Sequence, residues 1–263
     1  MPRSAPDRSS QAPSRCPGRF VPRMPGTLLT ACLVAASALA AAADPPTAAV
    51  RDGAQVQVTT VDLVQALDAK KLRVVNREVS KITFGLWDWN WGTPARHSVR
   101  LSAAADNGVA WVEGIDFQAG TIEAEIRGRA FMSQSYIGIA FHRKDDKTYE
   151  AVYLRPFNFR AGDPTHKHHA VQYVALPDFD FDRLRKDFPE QFENAVDASI
   201  APSDWVKLRV VVDGVKIHVF VGPVTAATLE VRKLGQLYSG QVGLWVGNTS
   251  GGDFSNLVIT PTR

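Results

Sequence analysis

The sequence has only two cysteines, Cys16 and Cys32, and both lie near its N-terminus. The remainder of the chain therefore offers no disulfide, no thiol nucleophile and no thiolate ligand for a metal ion. Long apolar runs are also scarce: the run over residues 28–43 is alanine-rich and shorter than the roughly 20 residues that a membrane-spanning helix needs. Stability must therefore come from a buried core, and the chain is long enough to form one.

The first 43 residues are arranged like a secretory leader. Residues 1–26 contain five arginines and a single acid, the apolar run follows, and Asp44-Pro45-Pro46 ends it. A basic segment, a short apolar segment and small residues before the cleavage point are typical of a signal peptide. We therefore expect cleavage after Ala43 and a secreted or periplasmic protein.

Two alternatives concern this leader. Met24 is a candidate start of translation beside Met1, because the segment before it is long for a leader. The sequence Leu29-Thr30-Ala31-Cys32 is similar to a lipoprotein signal that would anchor the protein through Cys32, but most of the apolar run follows that cysteine instead of preceding it.

Loss of the leader also changes the electrostatic character of the chain. Five arginines and one aspartate leave with it, so the formal net charge changes from +3 to −1. The basic character of the whole chain therefore belongs to the leader and gives no argument for nucleic-acid binding.

The pattern after the leader changes near residue 74. Residues 44–73 predict a linker followed by a short helix, which Thr60 caps and in which apolar residues recur at helical spacing. Residues 74–263 contain short alternating runs separated by glycine, aspartate and asparagine, and predict one β-domain. We expect strands near residues 81–87, 97–102, 109–113, 120–128, 135–143, 148–155, 168–175, 205–212, 215–221, 229–233, 240–247 and 254–260.

About twelve short strands with little helix predict an all-β sandwich of two antiparallel sheets. Asp213-Gly214, between two alternating runs, is typical of a hairpin turn, and one short helical insertion is expected near residues 179–196. The length favours a jelly roll over an immunoglobulin-type domain. We also expect the protein to be a monomer. The alternation predicts a core that contains Ile137, Ile139, Phe141, Val152, Leu154, Leu208, Val210, Val219, Leu244 and Leu257.

Four phrases carry a resemblance to a known family: FQAGTIEAEIRGRA, SYIGIAFHRKDDKTYEAVYLRPFNFR, HAVQYVALPDFDFDRLR and GQVGLWVGNTSGGDFSNLVI, in this order over residues 117–259. They resemble secreted bacterial proteins with a concanavalin A-like lectin/glucanase jelly roll, close to the laminin-G-like and 3-keto-disaccharide hydrolase-like group. The resemblance implies a concanavalin A-like jelly roll and a glycan or oligosaccharide as ligand. If the protein is an enzyme, it implies a glycoside hydrolase-like activity, with 3-keto-glycosides among the substrates.

The chain departs from the family 16 glycoside hydrolases that share this resemblance. Those enzymes have two glutamates and an aspartate alternating on one strand, so that all three carboxylates face the cleft. The nearest counterpart here, Glu123-Ala124-Glu125, is followed at the next alternate position by Arg127. The family 16 mechanism is therefore not expected.

The segment DDKTYEAVYLRPFNFR supplies the candidate binding site. Strand alternation places Tyr149, Tyr153 and Arg155 on one face, opposite the apolar residues of the same strand. Gly138 and Ala140 of the preceding strand leave space beside them, which predicts a shallow groove. Such a groove suits a sugar ring, because aromatic rings stack on its CH face and arginine donates to hydroxyls or a carboxylate. The alternative is an ordinary solvent-facing strand.

Three residues near this strand complete the predicted ligand-binding set: Asn158 from the corner, and His169 and Tyr173 from the next strand. His169 and His142 are also candidates for a general base, with a structural role for His169 as the alternative. The histidines of THKHH lack the spacing of a zinc site, so we expect no metal there. The loops RKDDK and NTSGGDF are rich in oxygen and could bind calcium, but each is equally typical of a turn. No other cofactor is expected.

The tryptophans allow two interpretations. Trp87, Trp89 and Trp91 lie at period two and could form a stacking platform for a glycan, or could seal the sandwich against the N-terminal helix. We favour the seal, because three exposed indoles in a row would promote association. Trp245 is interpreted as a core or edge residue.

Two functions follow from these patterns. The first is a secreted carbohydrate-binding or glycan-processing jelly roll with its site on the concave sheet face. The second is a non-catalytic structural or adhesion module that uses the same face for a protein partner.

Overall fold

The computed structural model describes residues 57–82 and 97–262, to which every structural statement below refers. The predicted signal peptide, most of the predicted linker and Trp87, Trp89 and Trp91 lie outside the described residues, as does most of the strand expected near 81–87. No helix within the described ranges is both long enough and apolar enough to cross a membrane.

One of two antiparallel sheets has eight strands. Its order is β13-β12-β11-β6-β15-β4-β3, with β1 paired to β15. Burial alternates along β6 and β11, as expected for a sheet with one face in the core and one face in solvent. Numbered along the chain, its strands are β1 (Thr59–Val61), β3 (Val79–Lys81), β4 (Val99–Leu101), β6 (Gly120–Arg127), β11 (Val206–Asp213), β12 (Lys216–Val221), β13 (Leu229–Arg232) and β15 (Gly252–Pro261).

The other sheet has seven strands in the order β10-β9-β8-β7-β14-β5-β2. All residues of β5 and β8 are buried, so this sheet is covered on its outer face as well as on its core face. Its strands are β2 (Leu72–Val75), β5 (Gly108–Val112), β7 (Ile137–Arg143), β8 (Tyr149–Leu154), β9 (Val171–Leu176), β10 (Glu193–Asn194) and β14 (Gln241–Val246).

Three short helices and one 3₁₀ turn lie in the connections: α1 (Leu63–Asp68), α2 (Pro164–His168), α3 (Phe181–Asp187) and the turn Pro156–Asn158. Thr60 does not cap α1 as predicted, because it lies in β1; the Asp62 carboxylate accepts from the first-turn amides of Val64 and Gln65, both at 3.0 Å. The predicted insertion near 179–196 is helical only over α3, since Pro189 cannot continue a helix.

The start of β9 also differs from the sequence prediction. The strand expected from residue 168 begins at Val171, because α2 occupies the preceding segment with its N-terminus capped by Asp163. His168 therefore lies in a helix, and His169 ends that helix instead of alternating in a strand.

The predicted sandwich and its core are confirmed. All ten apolar residues predicted for the core are at most 1% exposed, and they belong to a single cluster between the sheets. The hairpin at Asp213-Gly214 joins β11 to β12, with Asp213 paired to Lys216 and Gly214 at a φ of +56°. The period-two alternation therefore identifies the core face of each sheet correctly.

Leu154 and Leu208 test this core. Both are fully buried, so replacement of either by alanine should lower the free energy of unfolding by about 2–5 kcal/mol, measured by urea denaturation. Val211→Ala is a matched control, because Val211 is only half-buried and points outward from the strand that contains Leu208; we expect a loss of about 1 kcal/mol or less. Equal losses at Leu208 and Val211 would contradict the assigned faces.

Candidate functional site

A groove of about 900 Å³ lies on the outer face of the seven-stranded sheet. Its floor is aromatic: Tyr149 and Tyr153 come from β8 and Trp245 from β14. These side chains share one face because Tyr153 and Trp245 both pair with Gly138, on the two sides of β7. The groove therefore occupies the face on which sequence alternation predicted a site.

The floor rings contact one another directly. The Tyr153 and Trp245 ring centroids are 4.7 Å apart, and the Trp245 indole Nε1 donates to the Tyr149 hydroxyl at 3.1 Å. Burial raises the pKa of Tyr149 and of Tyr153, so both phenols remain protonated. The result is a rigid aromatic surface with hydroxyl groups within it.

Five loops and the segment that contains α3 form the walls of the groove. The wall residues include Asp106, Asn107, Ser133, Tyr136, Asp146, Lys147, Pro177, Asp180, Phe181, Arg185, Gly247 and Asn248. Arg77 ties two of these loops together, because its guanidinium donates to the carbonyls of Asp106 at 2.6 Å and of Gly247 at 2.8 Å. This part of the rim is therefore held in place before any ligand arrives.

Arg155 closes one end of the groove and is only 4% exposed. It donates to the Tyr153 hydroxyl at 2.8 Å, to the Gln172 side-chain oxygen at 3.1 Å and to the His169 carbonyl at 3.0 Å. The carboxylate of Glu193 lies 3.6 Å from its Nη1. The expectation that Arg155 offers free donors on an open face is therefore wrong, since segments distant in sequence supply its acceptors.

Glu193 joins this end of the groove to α3 and to α2. The Arg185 guanidinium of α3 donates to both Glu193 oxygens at 2.9–3.2 Å, and the His169 Nε2 lies 3.1 Å from the same carboxylate. Burial lowers the pKa of His169; the two arginines lower it further, and Glu193 opposes them. His169 is therefore a neutral partner in this network.

The predicted ligand-binding residues are only partly brought together. Tyr149, Tyr153 and Arg155 line the groove, whereas Asn158 and His169 do not. The Asn158 side chain donates to the His169 carbonyl at 3.1 Å, so it stabilises the turn Pro156–Asn158 that follows Arg155.

Tyr173 lies on the opposite face of the sheet from the groove. It pairs with Val152 across β8 and β9 and is fully buried in the core. Its hydroxyl donates to Glu150 at 2.5 Å and accepts from the Leu234 amide at 3.0 Å. Burial raises the pKa of Tyr173, and the Glu150 charge raises it further.

Alternation with Gly138 and Ala140 predicts that His142 faces the groove, but its side chain contacts the core side of the sheet instead. β7 contains one residue more than β14 between the pairs Arg143–Gln241 and Ala140–Gly243, and this bulge gives His142 a φ of +52°. Its ring lies 3.1 Å from Glu150, whose carboxylate also pairs with Lys233 at 3.1 Å. At 1% exposure, His142 is remote from the groove.

Sequence reasoning missed most of the groove residues, among them Tyr136, Phe181, Arg185 and Trp245. The sequence predicts Trp245 to be a packing residue. Its alternation with Gly243 and Gly247 could have indicated that its ring points outward, next to residues too small to cover it. The phrase FDFDRLR was recognised only as a helical insertion, and nothing in it shows that α3 returns to the end of β8.

In the two loops that could bind calcium, the carboxylates form hydrogen bonds and ion pairs with other groups of the protein. Asp145 accepts from the amides of Lys147 and Thr148, both at 2.8 Å, and Asp253 binds Arg100 and Arg127. Over the part of the chain that the structure describes, no group of three or more potential His, Cys, Asp or Glu ligands is close enough to hold a metal ion.

Glu123 and Glu125, the nearest sequence counterparts of the family 16 carboxylates, do not lie at the groove. Glu123 and Glu125 point outward from β6 in the eight-stranded sheet, where they pair with Arg209 and Lys207 in register. The groove belongs to the other sheet.

Comparisons with known proteins extend the fold assignment. No protein-family model and no curated protein matches the chain in sequence. A carbohydrate-binding module from Bacillus subtilis is similar in structure, with a TM-score of 0.50 and 12% identity, over 72% of this chain and 96% of that one.

Two further solved structures are similar at lower scores. A Bacillus subtilis protein of unknown function with a galectin-like fold has a TM-score of 0.48 at 13% identity, over 78% of this chain and 96% of that one. A Bacillus licheniformis β-glucanase has a TM-score of 0.41 at 10% identity, over 73% of this chain and 98% of that one. Identities this low indicate the fold alone. The two antiparallel sheets, together with the similarity to the carbohydrate-binding module, confirm the predicted all-β jelly roll.

Arg155→Ala tests whether this arginine is structural. Its removal leaves the Tyr153 hydroxyl and the Gln172 side chain without their donor and weakens the neutralisation of buried Glu193, so the free energy of unfolding should fall by about 2–4 kcal/mol. Arg129→Ala, at an exposed position, should change it by about 0.5 kcal/mol or less. Equal stability of the two variants in urea denaturation would show that Arg155 is not held by this network.

Proposed function

We propose that this protein binds carbohydrate in the groove on the outer face of the seven-stranded sheet. The observation that supports this most directly is the composition of the groove, in which aromatic rings alternate with hydroxyl, amide and charged groups. Sugars present the same mixture, since an apolar CH face lies beside a ring of hydroxyls.

The size of the groove suits a short oligosaccharide. A volume of about 900 Å³ lies near the upper end of the range of roughly 300–1,000 Å³ for small-molecule sites. The floor rings are nearly buried, so a ligand would contact their edges and hydroxyls, while the rings of the walls offer larger faces.

Phe181 offers the most accessible of these ring faces. It is 41% exposed, and its ring centroid lies 5.9 Å from the Arg155 guanidinium carbon and 5.5 Å from that of Arg185. The two cations fix the orientation of the ring and leave its outer part free to stack on a sugar.

The groove favours binding over hydrolysis. A glycoside hydrolase needs a carboxylic acid with a raised pKa beside a second carboxylate. Asp146 cannot be that acid, because hydrogen bonds from Arg73 and then Arg143 lower its pKa. Glu193 is held by two arginines, and Asp180 caps α3 through the amide of Arg183. Asp106 lies exposed on the rim beside the Arg77 charge.

Two further considerations support the proposal. The similar structure from Bacillus subtilis is named as a carbohydrate-binding module, so this fold is compatible with that function. The predicted signal peptide would place the protein outside the cytoplasm or in the periplasm, where polysaccharides are accessible.

Phe181→Ala tests the proposal. In titration calorimetry with a panel of plant and bacterial oligosaccharides, we expect at least one ligand to bind and the variant to lose about tenfold or more in affinity, because a stacking surface is removed. Phe220→Ala is the matched control. Its half-buried ring lies on the eight-stranded sheet under the Arg209 guanidinium, at 3.9 Å, and should not affect binding.

The possible outcomes distinguish where, and whether, sugar binds. Loss of affinity in Phe181→Ala with wild-type affinity in Phe220→Ala supports sugar binding in the groove. Binding that survives both changes would place the sugar elsewhere, and the absence of binding across the panel would contradict the proposed function.

A further inference from the structure

Positively charged groups outnumber negative ones beneath and around the groove. Five arginine guanidinium groups lie there, and only two carboxylates pair with them. Asp146 binds Arg73 at 2.8 Å and Arg143 at 2.9 Å, and Glu193 binds Arg185 at 2.9 Å with Arg155 at 3.6 Å. Each of these clusters therefore keeps one positive charge.

The fifth guanidinium, that of Arg77, is partly buried and has carbonyl oxygens as its partners: those of Asn76, Ala105, Asp106, Gly247 and Ser250. Carbonyl groups satisfy its hydrogen bonds but do not neutralise its charge, which the exposed carboxylate of Asp106 offsets only in part. Its pKa is lowered by burial, which reflects the cost of holding this charge away from water.

The two charged clusters lie at opposite ends of β8. Asp146 precedes the strand and Arg155 follows it, and the six residue-to-residue steps from Tyr149 to Arg155 span about 20 Å in an extended strand. At the first end Asp146 lines the groove, neutralised by its two arginines, and Lys147 lies beside it; at the other end Arg155 and Arg185 line it. A ligand that lies along the groove therefore meets the Lys147 charge at one end and the surplus charge of the cluster of Arg155, Arg185 and Glu193 at the other.

The other charges near the groove are exposed, as is Arg73, whose side chain is 42% exposed. Lys147 lines one wall, opposed by Asp106 and Asp180 on the rim and by Asp145, whose carboxylate turns back onto its own loop. Water and salt screen these exposed charges much more strongly than the partly buried arginines. The buried and partly buried charges, among which are Arg77, Arg155 and Arg185 against Glu193, therefore make a net positive contribution to the field inside the groove.

Two cationic groups at the groove keep donors for a ligand. The Nε and Nη2 of Arg185 are occupied by Glu193, whereas its Nη1 has no acceptor among the described residues. The Lys147 ammonium group likewise has no side-chain partner in that part of the chain. Each could donate to an anionic oxygen of a bound molecule.

From this arrangement we propose that the groove selects acidic glycans, in which carboxylate or sulfate groups on the sugar rings are bound by Arg185 and Lys147. This inference rests on the proposed carbohydrate-binding function and adds the class of ligand. The neutral parts of the sugar contact the aromatic rings, and the acidic groups meet the positive charge at the ends of β8.

The direct test compares ligands that differ only in charge. The probes are an oligogalacturonide, its fully methyl-esterified form, and a neutral and a sulfated oligosaccharide of similar length. In titration calorimetry at about 0.05 M salt, we expect the oligogalacturonide or the sulfated oligosaccharide to bind about tenfold tighter than the uncharged probes. The advantage should shrink at about 0.5 M salt, because counter-ions screen the attraction. The tighter of the two acidic probes identifies the anionic group.

A charge reversal locates the effect. Lys147→Glu should weaken binding of the acidic probe about tenfold and leave the methyl ester within about twofold. Lys144→Glu is the matched control: Lys144 is exposed in the same turn between β7 and β8 but does not line the groove, so this variant should bind like the wild-type protein.

Failure of this inference is distinguishable from failure of the proposed function. Suppose that neutral and acidic probes bind equally well and that Phe181→Ala abolishes the binding of both. This result would overturn the acidic preference and leave carbohydrate binding intact. Equal effects of Lys147→Glu and Lys144→Glu would show that general charge, and not the groove, governs the preference, and would also overturn it. If no glycan binds, both proposals fall.

Discussion

The groove depends on the missing side chain of Gly138. A β-carbon at this position would lie 2.0 Å from the carbonyl oxygen of Val152 and 2.5 Å from the Cα of Tyr153, so no other residue fits without moving β8. Because Gly138 adds no atoms to the outer face, Tyr153 and Trp245 can approach across β7 to a centroid distance of 4.7 Å. Their contact forms the floor on which the walls are built.

The buried ionic network at the end of β8 fixes the walls relative to this floor. Glu193 of β10 links Arg155, at the end of β8, to Arg185 of α3, and so positions Phe181 one turn earlier in the same helix. Charges buried in this way are costly unless they are paired, which favours one arrangement of the helix over others. The same contacts therefore hold the aromatic floor, the exposed ring of Phe181 and the surplus positive charge in fixed positions relative to one another.

Sequence alternation predicted most of the strands, the core and the shared face of Tyr149, Tyr153 and Arg155, because a period of two is a local property of the chain. It missed the short strands β1, β2 and β10, which lie in segments predicted as linker or helix. It could not predict the burial of Tyr149, Tyr153 and Arg155, since the covering groups on α3 and β10 come from segments 20 to 40 residues away. The bulge that redirects His142 and the register that places Tyr173 beside Val152 depend on strand pairing, which alternation does not encode.

The most direct test of the account observes the groove while sugar binds. Trp245 lies in its floor, whereas Trp205 lies beside a separate cavity of about 430 Å³ next to the eight-stranded sheet. In two-dimensional NMR spectra of the protein titrated with a binding oligosaccharide, the account predicts that the Trp245 indole N–H signal shifts in proportion to occupancy and that the Trp205 signal does not. A shift of Trp205 with an unchanged Trp245 would contradict it.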